Sequence, residues 1–332
     1  MQKFLIIQTA FIGDVVLSTG LIEKLHYYFP DAAIDFLVRK GNESLFTGHP
    51  FLNEVLVWNK KQDKLKNLWK ILRGIRRRKY DKVINVQRFA ATGLLTAFSG
   101  AGETIGFDKN PLAFLFTLKV KHTISTGKTL KHEIERNDEL VKSFTGEKIF
   151  KPALYPSSSD VEAATAFKRH PYICIAPASV WFTKQYPSIK WISFIHLLPA
   201  GYHVNLLGAP GDKALCDEII TLCPGVLFAN LCGKLSFLES AALMKDAVMN
   251  YVNDSAPLHF ASAVNAPVTA VYCSTVPSFG FGPLSDKNVI VQIQHPLYCR
   301  PCGLHGYKSC PEGHFKCALE INDNNLLSSL PK

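Results

Sequence analysis

Short apolar runs alternate along the chain with longer stretches in which apolar residues recur at helical spacing. The short runs predict buried strands, and the 3.6-residue recurrence predicts amphipathic helices. In the first half the predicted strands are Lys3–Gln8, Ala33–Val38, Glu54–Trp58 and Lys82–Val86, and the predicted helices are Val15–Tyr28, Asp63–Lys79 and Ala90–Phe98. Strands and helices in this alternating order predict a parallel sheet that is covered by helices on both faces.

The turn-rich segment Tyr155-Pro156-Ser157-Ser158-Ser159 indicates a linker, and the alternation restarts after it. The predicted strands there are Tyr172–Ala176, His203–Leu207, Val226–Leu231, Val248–Val252 and Val268–Tyr272, and the predicted helices are Ser188–Leu198, Asp212–Leu222, Phe237–Lys245 and Pro257–Val264. We therefore expect two doubly wound α/β domains, residues 1–158 and 159–332. In such sheets ligands bind beyond the carboxyl ends of the strands, and small-molecule sites favour domain interfaces.

Composition excludes two classes of protein. A chain of 332 residues with 47% hydrophobic residues is not disordered, and no apolar run reaches the ~18 residues of a membrane span. The apolar start after Lys3 is interrupted by Gln8, Thr9 and Asp14, so it predicts a first strand and a cytoplasmic protein. The net charge of +10 favours anionic partners without choosing among nucleic acid, nucleotides, phosphorylated sugars and a membrane surface.

Two loops at predicted strand ends carry candidate chemistry. Asp14 lies in the first helical turn after the first strand, where it either complements the helix dipole or faces a ligand. The single glycine, Gly13, fits neither G-x-G-x-x-G nor a P-loop. Ser179 and Lys184 follow the first strand of the second half, where they suit a phosphate or diphosphate. The alternative for Lys184 is a solvated surface lysine.

A third strand end reads Asn253-Asp254-Ser255-Ala256-Pro257-Leu258-His259. We expect Asp254 or Ser255 to cap the following helix, because Pro257 suits its first turn. The free N–H groups of that turn could hold a phosphate. His259 lies about one turn further along, either near the same ligand or in the core.

The tract from residue 59 to 79 is strongly basic, and it ends in Arg76, Arg77 and Arg78. A helix with one apolar and one basic face either binds an anionic membrane or glycolipid, or is an ordinary solvated helix. Both interpretations stay open at this point.

Four of the nine cysteines, Cys299, Cys302, Cys310 and Cys317, lie close together near the end of the chain. Without an export signal, a disulfide framework is not expected. The Cys-x2-Cys pair resembles half of a zinc site, but Cys310 and Cys317 are too widely spaced for the other half. Zinc binding and packing are both left open.

The ordered set of motifs resembles glycosyltransferase family 9, the ADP-heptose:lipopolysaccharide heptosyltransferases. The motifs, in chain order, are Phe11-Ile12-Gly13-Asp14, Lys79-Tyr80-Asp81, Pro177-Ala178-Ser179 with Lys184, and Asn253-Asp254-Ser255-x-x-Leu258-His259. The final Cys-x-Pro-Cys…Cys…Cys stretch is similar to that of the heptosyltransferase II branch. Ala256 departs from the family pattern, which has glycine there.

The resemblance implies a GT-B fold, with two Rossmann-like domains around a cleft. It implies an N-terminal acceptor domain, a C-terminal nucleotide-sugar domain, and inverting, metal-independent transfer without a cofactor. Asp14 would be the general base, and Gly13 and Arg88 would contact the acceptor. The implied donor-binding residues are Ser179, Lys184, Gly208, Asp254, Ser255 and His259.

The implied partners are ADP-heptose and the lipid A–inner core of lipopolysaccharide. We expect peripheral contact with the cytoplasmic face of the inner membrane through Arg76, Arg77 and Arg78, and no nucleic acid. One alternative is a related enzyme that uses another nucleotide-sugar. An NAD-type oxidoreductase lacks its glycine motif here, and a nucleic-acid-binding protein lacks a stacking motif.

Overall fold

The chain divides between Tyr155 and Pro156 into two units, Met1–Tyr155 and Pro156–Lys332. The structure is a computed structural model that describes residues 1–124 and 130–331. The division lies in the segment that the sequence marks as a linker, shortly before the predicted boundary at residue 158.

The first unit contains a six-stranded parallel sheet in the order β3-β2-β1-β4-β5-β6. Its strands are β1 (Lys3–Ile7), β2 (Ala33–Arg39), β3 (Glu54–Trp58), β4 (Lys82–Asn85), β5 (Glu103–Phe107) and β6 (Leu118–Val120). Its helices are α1 (Ile12–Leu17), α2 (Thr19–Tyr28), α3 (Lys64–Arg78), α4 (Ala90–Ala97) and α5 (Glu133–Asp138). The almost wholly apolar β1 is buried from Phe4 to Ile7, as a central parallel strand requires.

The second unit repeats this architecture with the strand order β12-β11-β10-β7-β8-β9. Its strands are β7 (Tyr172–Ala176), β8 (His203–Leu206), β9 (Leu227–Asn230), β10 (Met249–Asn253), β11 (Val268–Tyr272) and β12 (Asn288–Gln292). Its helices are α6 (Ser158–Thr165), α7 (Ser188–His196), α8 (Lys213–Thr221), α9 (Phe237–Lys245), α10 (Ala256–Ala263), α11 (Lys316–Leu319) and α12 (Asn324–Leu327).

Each sheet has one point where the strand order reverses. In the first unit β1 lies between β2 and β4, and in the second β7 lies between β8 and β10. The connections that leave neighbouring strands at such a point diverge to opposite faces and open a crevice at the carboxyl edge, where ligands bind. The loops after β1, β7 and β10 therefore occupy the binding edges of the two sheets.

All nine predicted strands are present, and three further strands were missed. β5 includes Gly106, β6 has only three residues, and β12 is largely exposed, so none of them gives a strong apolar signal. The single predicted helix Val15–Tyr28 is wrong, because the structure has two helices that meet at Ser18. The Ser18 hydroxyl donates to the carbonyl of Val15 at 2.8 Å, which is typical of serine at a helix break.

Candidate active site

The loop after β1 is held by residues that follow two other strands of the sheet, β4 and β3. The Thr9 hydroxyl donates to the side chain of Gln87, after β4, at 2.6 Å. The Lys60 ammonium, after β3, donates to the Thr9 carbonyl at 2.9 Å and to its hydroxyl at 2.8 Å. These bonds fix the turn from which α1 starts, so we call Thr9–Asp14 with Lys60 and Gln87 the amino-terminal half-site.

Asp14 lies in the first turn of α1, as the sequence indicates, and it is partly exposed. The helix begins after Phe11, whose exposed ring lies 5.1 Å from the guanidinium of Arg39. A carboxylate in a first helical turn is stabilised in its ionised form by the helix dipole. The position therefore presents a partly exposed carboxylate at the binding edge of the first sheet.

Sequence reasoning singled out neither Gln87 nor Lys60 as a residue of this half-site. The Lys60 ammonium lies 4.7 Å above the ring of Trp58. Burial, helped by repulsion from Arg39 and Lys64, lowers the pKa of Lys60 to about 8. The one signal in the sequence was the position of Lys60 just after a strand. Because many basic residues follow it, this signal did not distinguish Lys60 from its neighbours.

Gly13 and Arg88, the other expected acceptor contacts, also lie at this edge. Gly13 belongs to the first turn of α1 beside Asp14, and Arg88 is an exposed residue of the connection between β4 and α4. Burial lowers the pKa of His122, and the nearby positive charge of Arg88 lowers it further. Arg88 therefore places positive charge on the same sheet edge as Lys60.

In the second unit the loops after β7 and β10 meet through an ion pair. The Lys184 ammonium lies 2.7 Å from a carboxylate oxygen of Asp254, and both side chains are largely buried. The Thr275 hydroxyl donates to the same oxygen of Asp254 at 2.6 Å. We call these three residues, with Ser179 and Ser255, the carboxy-terminal half-site.

Asn253 explains why the Lys184 loop keeps its position. Its side-chain amide donates to the carbonyl of Pro177 at 2.8 Å, and its side-chain oxygen accepts from the backbone N–H of Tyr186 at 2.8 Å. Both ends of the loop are thereby attached to the last residue of β10. Lys184 and Asp254, 70 positions apart in sequence, are brought together at the point where the sheet order reverses.

The expectation of a side-chain cap on α10 is wrong. Ser255 is the N-cap residue, but its hydroxyl makes no capping bond and instead donates to the carbonyl of Asn253 at 3.4 Å. Asp254 is used by Lys184 and Thr275 instead. No side chain caps the start of α10. Pro257 has no N–H, and the Leu258 N–H donates to the Ser255 carbonyl at 3.1 Å, so the N–H of Ala256 is the one in this turn that suits an anionic ligand.

The remaining expected donor residues take different positions. Ser179 lies partly exposed in the Lys184 loop, and its carbonyl accepts from the side chain of Gln185 at 2.6 Å. Gly208 follows β8, and a Cβ there would come within 2.8 Å of the sulfur of Cys232, so only glycine fits. His259 is buried in α10 and is only 5% exposed.

The four C-terminal cysteines line one cavity of about 280 Å³, next to Thr183. Among residues 1–124 and 130–331, no three or more His, Cys, Asp or Glu side chains are grouped so that they could hold a metal ion. The spacing-based zinc hypothesis therefore has no support in the geometry. Burial raises the pKa of the Cys317 thiol to about 12, which is consistent with a packed, protonated cysteine.

The three arginines at the end of α3 are not equivalent. Arg78 makes a bidentate pair with Glu54, with contacts of 2.7 and 3.0 Å, and Arg76 donates to the carbonyl of Phe98 at 3.0 Å. Arg77 points outwards and is exposed. Two of the three expected lipid contacts are thus engaged within the protein.

A model of glycosyltransferase family 9 (heptosyltransferase) matches residues 68–308. The chain therefore belongs to this family of enzymes. The oxidoreductase and nucleic-acid alternatives do not fit this assignment.

Individual relatives are similar over most of the chain. Lipopolysaccharide heptosyltransferase 3 of Escherichia coli is 27% identical over 80% of this chain and 82% of its own length. Lipopolysaccharide heptosyltransferase 2 of Escherichia coli K12 is 22% identical over 99% and 97%. The structure of the E. coli ADP-heptose heptosyltransferase II superposes with a TM-score of 0.80 and 20% identity, covering 99% and 97% of the two chains. The predicted class, two Rossmann-like α/β domains of the GT-B type, is confirmed.

Within the described residues, no helix combines the length and the apolar character that crossing a membrane requires.

Proposed function

We propose that this enzyme transfers a heptose from ADP-heptose to the inner core of lipopolysaccharide, at the cytoplasmic face of the inner membrane. The names of the relatives support this donor and acceptor, since they include an ADP-heptose enzyme and two lipopolysaccharide heptosyltransferases. The single observation that carries the proposal is the Lys184–Asp254 pair at the reversal point of the second sheet. It puts a cation at the edge where an α/β sheet binds a nucleotide.

Lys184 and the first turn of α10 bind the diphosphate of the donor in this proposal. The ammonium and the backbone N–H of Ala256 stabilise the negative charge that develops on the departing ADP. Asp254 orients Lys184, and Thr275 orients Asp254 through its 2.6 Å bond. Because these groups supply positive charge to the leaving group, the reaction needs no metal ion.

Asp14 is the general base of the transfer. A hydroxyl oxygen of the acceptor attacks the anomeric carbon of the heptose, and the bond from that carbon to the phosphate oxygen breaks. Asp14 takes the hydroxyl proton, and ADP leaves with the bonding electron pair. A single displacement inverts the anomeric configuration. General bases of this kind contribute about 10²- to 10⁴-fold to rates.

Substitution of Asp14 by Asn tests this assignment. Asp14→Asn removes the proton acceptor and keeps the shape, so acceptor-dependent ADP release should fall by about a hundredfold or more. The affinity for ADP should stay the same, because the donor is assigned to the other unit. The measurement is coupled ADP detection with ADP-heptose and a truncated lipid A–core acceptor.

Asp31→Asn is the matched control, since Asp31 is an exposed aspartate that follows α2. It should behave like the wild type. If Asp14→Asn kept the wild-type rate, Asp14 would be removed from the mechanism. If the wild type released no ADP with any acceptor while binding ADP, the donor would be another ADP-sugar.

A further inference from the structure

The outward face of α3 is basic and carries an exposed tryptophan. The helix buries Leu68, Leu72 and Ile75 against the first sheet. Positions on the opposite side follow at intervals of three or four residues and form one continuous face. We call this face the α3 stripe: Lys66, Trp69, Lys70, Arg73 and Arg77.

The four cations of the α3 stripe are not balanced by acidic residues of the helix itself, and Asp63, directly before the helix, is the one acidic side chain that lines the same surface depression. No Asp or Glu occurs anywhere in α3, and among the described residues none of the four makes an ion pair. Arg78, on another side of the same helix, shows the contrast because it is paired with Glu54. The stripe therefore has four cations without an ion-pair partner and one nearby carboxylate, so this face of the 15-residue helix is strongly positive.

The apolar side chains of this surface are also unusual for a solvated helix. Trp69 is 54% exposed, whereas Trp58 and Trp191 are buried and Trp181 is partly buried. Leu65, one turn before Trp69, is 70% exposed. An indole ring has an apolar body and a polar N–H, which suits the boundary between lipid headgroups and acyl chains.

We propose that the α3 stripe docks the enzyme onto a bilayer that contains anionic phospholipid. Lys66, Lys70, Arg73 and Arg77 contact headgroup phosphates, and Trp69 inserts at the acyl boundary. The positive charge of the stripe is complementary to an anionic lipid surface. A row of cations around one aromatic ring is typical of a helix that lies at a membrane interface. The docking rests on the proposed function in one respect: the proposed acceptor is linked to a lipid, so the enzyme would meet it at a membrane.

Sedimentation of the full-length chain with vesicles tests the docking. The probes are vesicles of phosphatidylcholine with phosphatidylglycerol and vesicles of phosphatidylcholine alone. The wild type should bind the first and not the second, and added salt should weaken the binding. The triple variant Lys70→Glu, Arg73→Glu, Arg77→Glu should bind at least roughly a hundredfold more weakly, from the contribution of each basic residue near an anionic surface.

The matched control makes the same change in net charge elsewhere on the same unit. Lys109→Glu, Lys119→Glu and Lys121→Glu reverse three exposed lysines on and around β6. This variant should retain most of the wild-type binding. Equal loss in both triple variants would overturn the proposal, because it would show that only net charge matters. Binding to phosphatidylcholine alone, or no vesicle binding at all, would also overturn it.

Tryptophan fluorescence tests the insertion separately. Trp69 is the most exposed of the four tryptophans. A blue shift of the tryptophan emission on anionic vesicles should therefore disappear in Trp69→Phe. An unchanged shift in that variant would overturn the insertion. Neither readout needs ADP-heptose, so both remain decisive if the proposed reaction is wrong. On a deacylated, water-soluble acceptor the stripe variant should release ADP at the wild-type rate, and a large loss there would assign the stripe to catalysis instead.

Discussion

Single charged side chains at the two sheet edges are held in place before any substrate arrives. Lys184 is partly buried and is neutralised by Asp254, whose other contact is Thr275. Removing one partner of such a pair leaves an uncompensated, poorly solvated charge, which costs more than the pair contributes. The pair therefore holds a cation at the carboxyl edge of the second sheet, where we propose that the diphosphate binds.

Lys60 gives a prediction about pH. Its pKa in the folded protein is lowered to about 8, mainly by burial, whereas an ordinary lysine titrates at about 10.4. Between these pH values the unfolded chain binds more protons, so the stability contributed at this position rises with pH. The free energy of unfolding of the wild type relative to Lys60→Met should therefore increase from pH about 8 upwards.

Urea unfolding across this pH range measures the effect, with Lys61→Met as the control. Lys61 is the exposed neighbour of Lys60, and its backbone N–H donates to the side chain of Asn59. The ammonium that donates to Thr9 is that of Lys60. The Lys61→Met difference should be flat over the same range. A flat or falling difference for Lys60→Met would show that the Lys60 ammonium is not desolvated as described.

The sequence singled out Asp14, Ser179, Lys184 and Asp254 as candidates because each follows a strongly apolar strand, and their roles stay predictions. It could not identify Lys60 in the same way, because a lysine has four rotatable bonds and its neighbours are also basic. Only the three-dimensional arrangement shows that its ammonium bends back to the Thr9 carbonyl. Capping of α10 was predicted wrongly for a related reason, since the partner of Asp254 lies far away in sequence.

At the scale of elements, the cysteine-rich C-terminal segment supports the Lys184 loop. The backbone N–H of Thr183 donates to the carbonyl of Tyr307 at 3.1 Å, and the N–H of Tyr307 donates to the Thr183 hydroxyl oxygen at 2.7 Å. The Ser274 hydroxyl donates to the same oxygen at 3.0 Å. The segment therefore buttresses the residue next to Lys184, which is a structural reason for its presence beside the site.

Thr183→Val tests this buttress. The substitution keeps the shape but removes a buried hydroxyl, so we expect a loss of about 1–3 kcal/mol in stability. ADP should also bind more weakly, because Lys184 loses its fixed position. Chemical denaturation and calorimetric titration with ADP measure the two effects.

Thr165→Val is the corresponding control on an exposed helix. The Thr165 hydroxyl donates only within α6, to Val161 at 2.8 Å, so its loss should change neither quantity much. Unchanged ADP affinity in Thr183→Val would contradict a supporting role for the C-terminal segment.

The elements that the sequence predicted correctly are those with continuous apolar strands or a clear apolar helix face. β1 and β7 are both buried along almost their entire length, and α3 shows Leu68, Leu72 and Ile75 at helical spacing. β6 and β12 lie at sheet edges, where fewer side chains are buried and the pattern fades. These two strands were therefore missed for want of a buried apolar run, whereas the other two edge strands, β3 and β9, were predicted.

At the scale of the whole molecule, the two units share one architecture and differ in the chemistry at their binding edges. The first has a partly exposed carboxylate in Asp14, and the second has the largely buried ion pair of Lys184 and Asp254 and the start of α10 without a side-chain cap. This difference is the basis for assigning the proton-accepting role to one unit and the nucleotide to the other.

Hydrogen exchange with and without ADP tests that division. ADP should slow amide exchange at residues 177–185 and 254–259, which surround the carboxy-terminal half-site. Residues 9–14 should exchange at the same rate in both conditions. Slowing at residues 9–14 without any at residues 254–259 would mean that the nucleotide binds the first unit.

We propose that this chain is an inverting heptosyltransferase that uses ADP-heptose. The most direct test of this proposal is NMR and mass analysis of the product formed from ADP-heptose and a lipopolysaccharide inner-core acceptor. The account predicts one heptose attached to the acceptor, with its anomeric configuration opposite to that of the donor and one ADP released per transfer. A product with the donor's configuration, or transfer only from a different nucleotide-sugar, would contradict it.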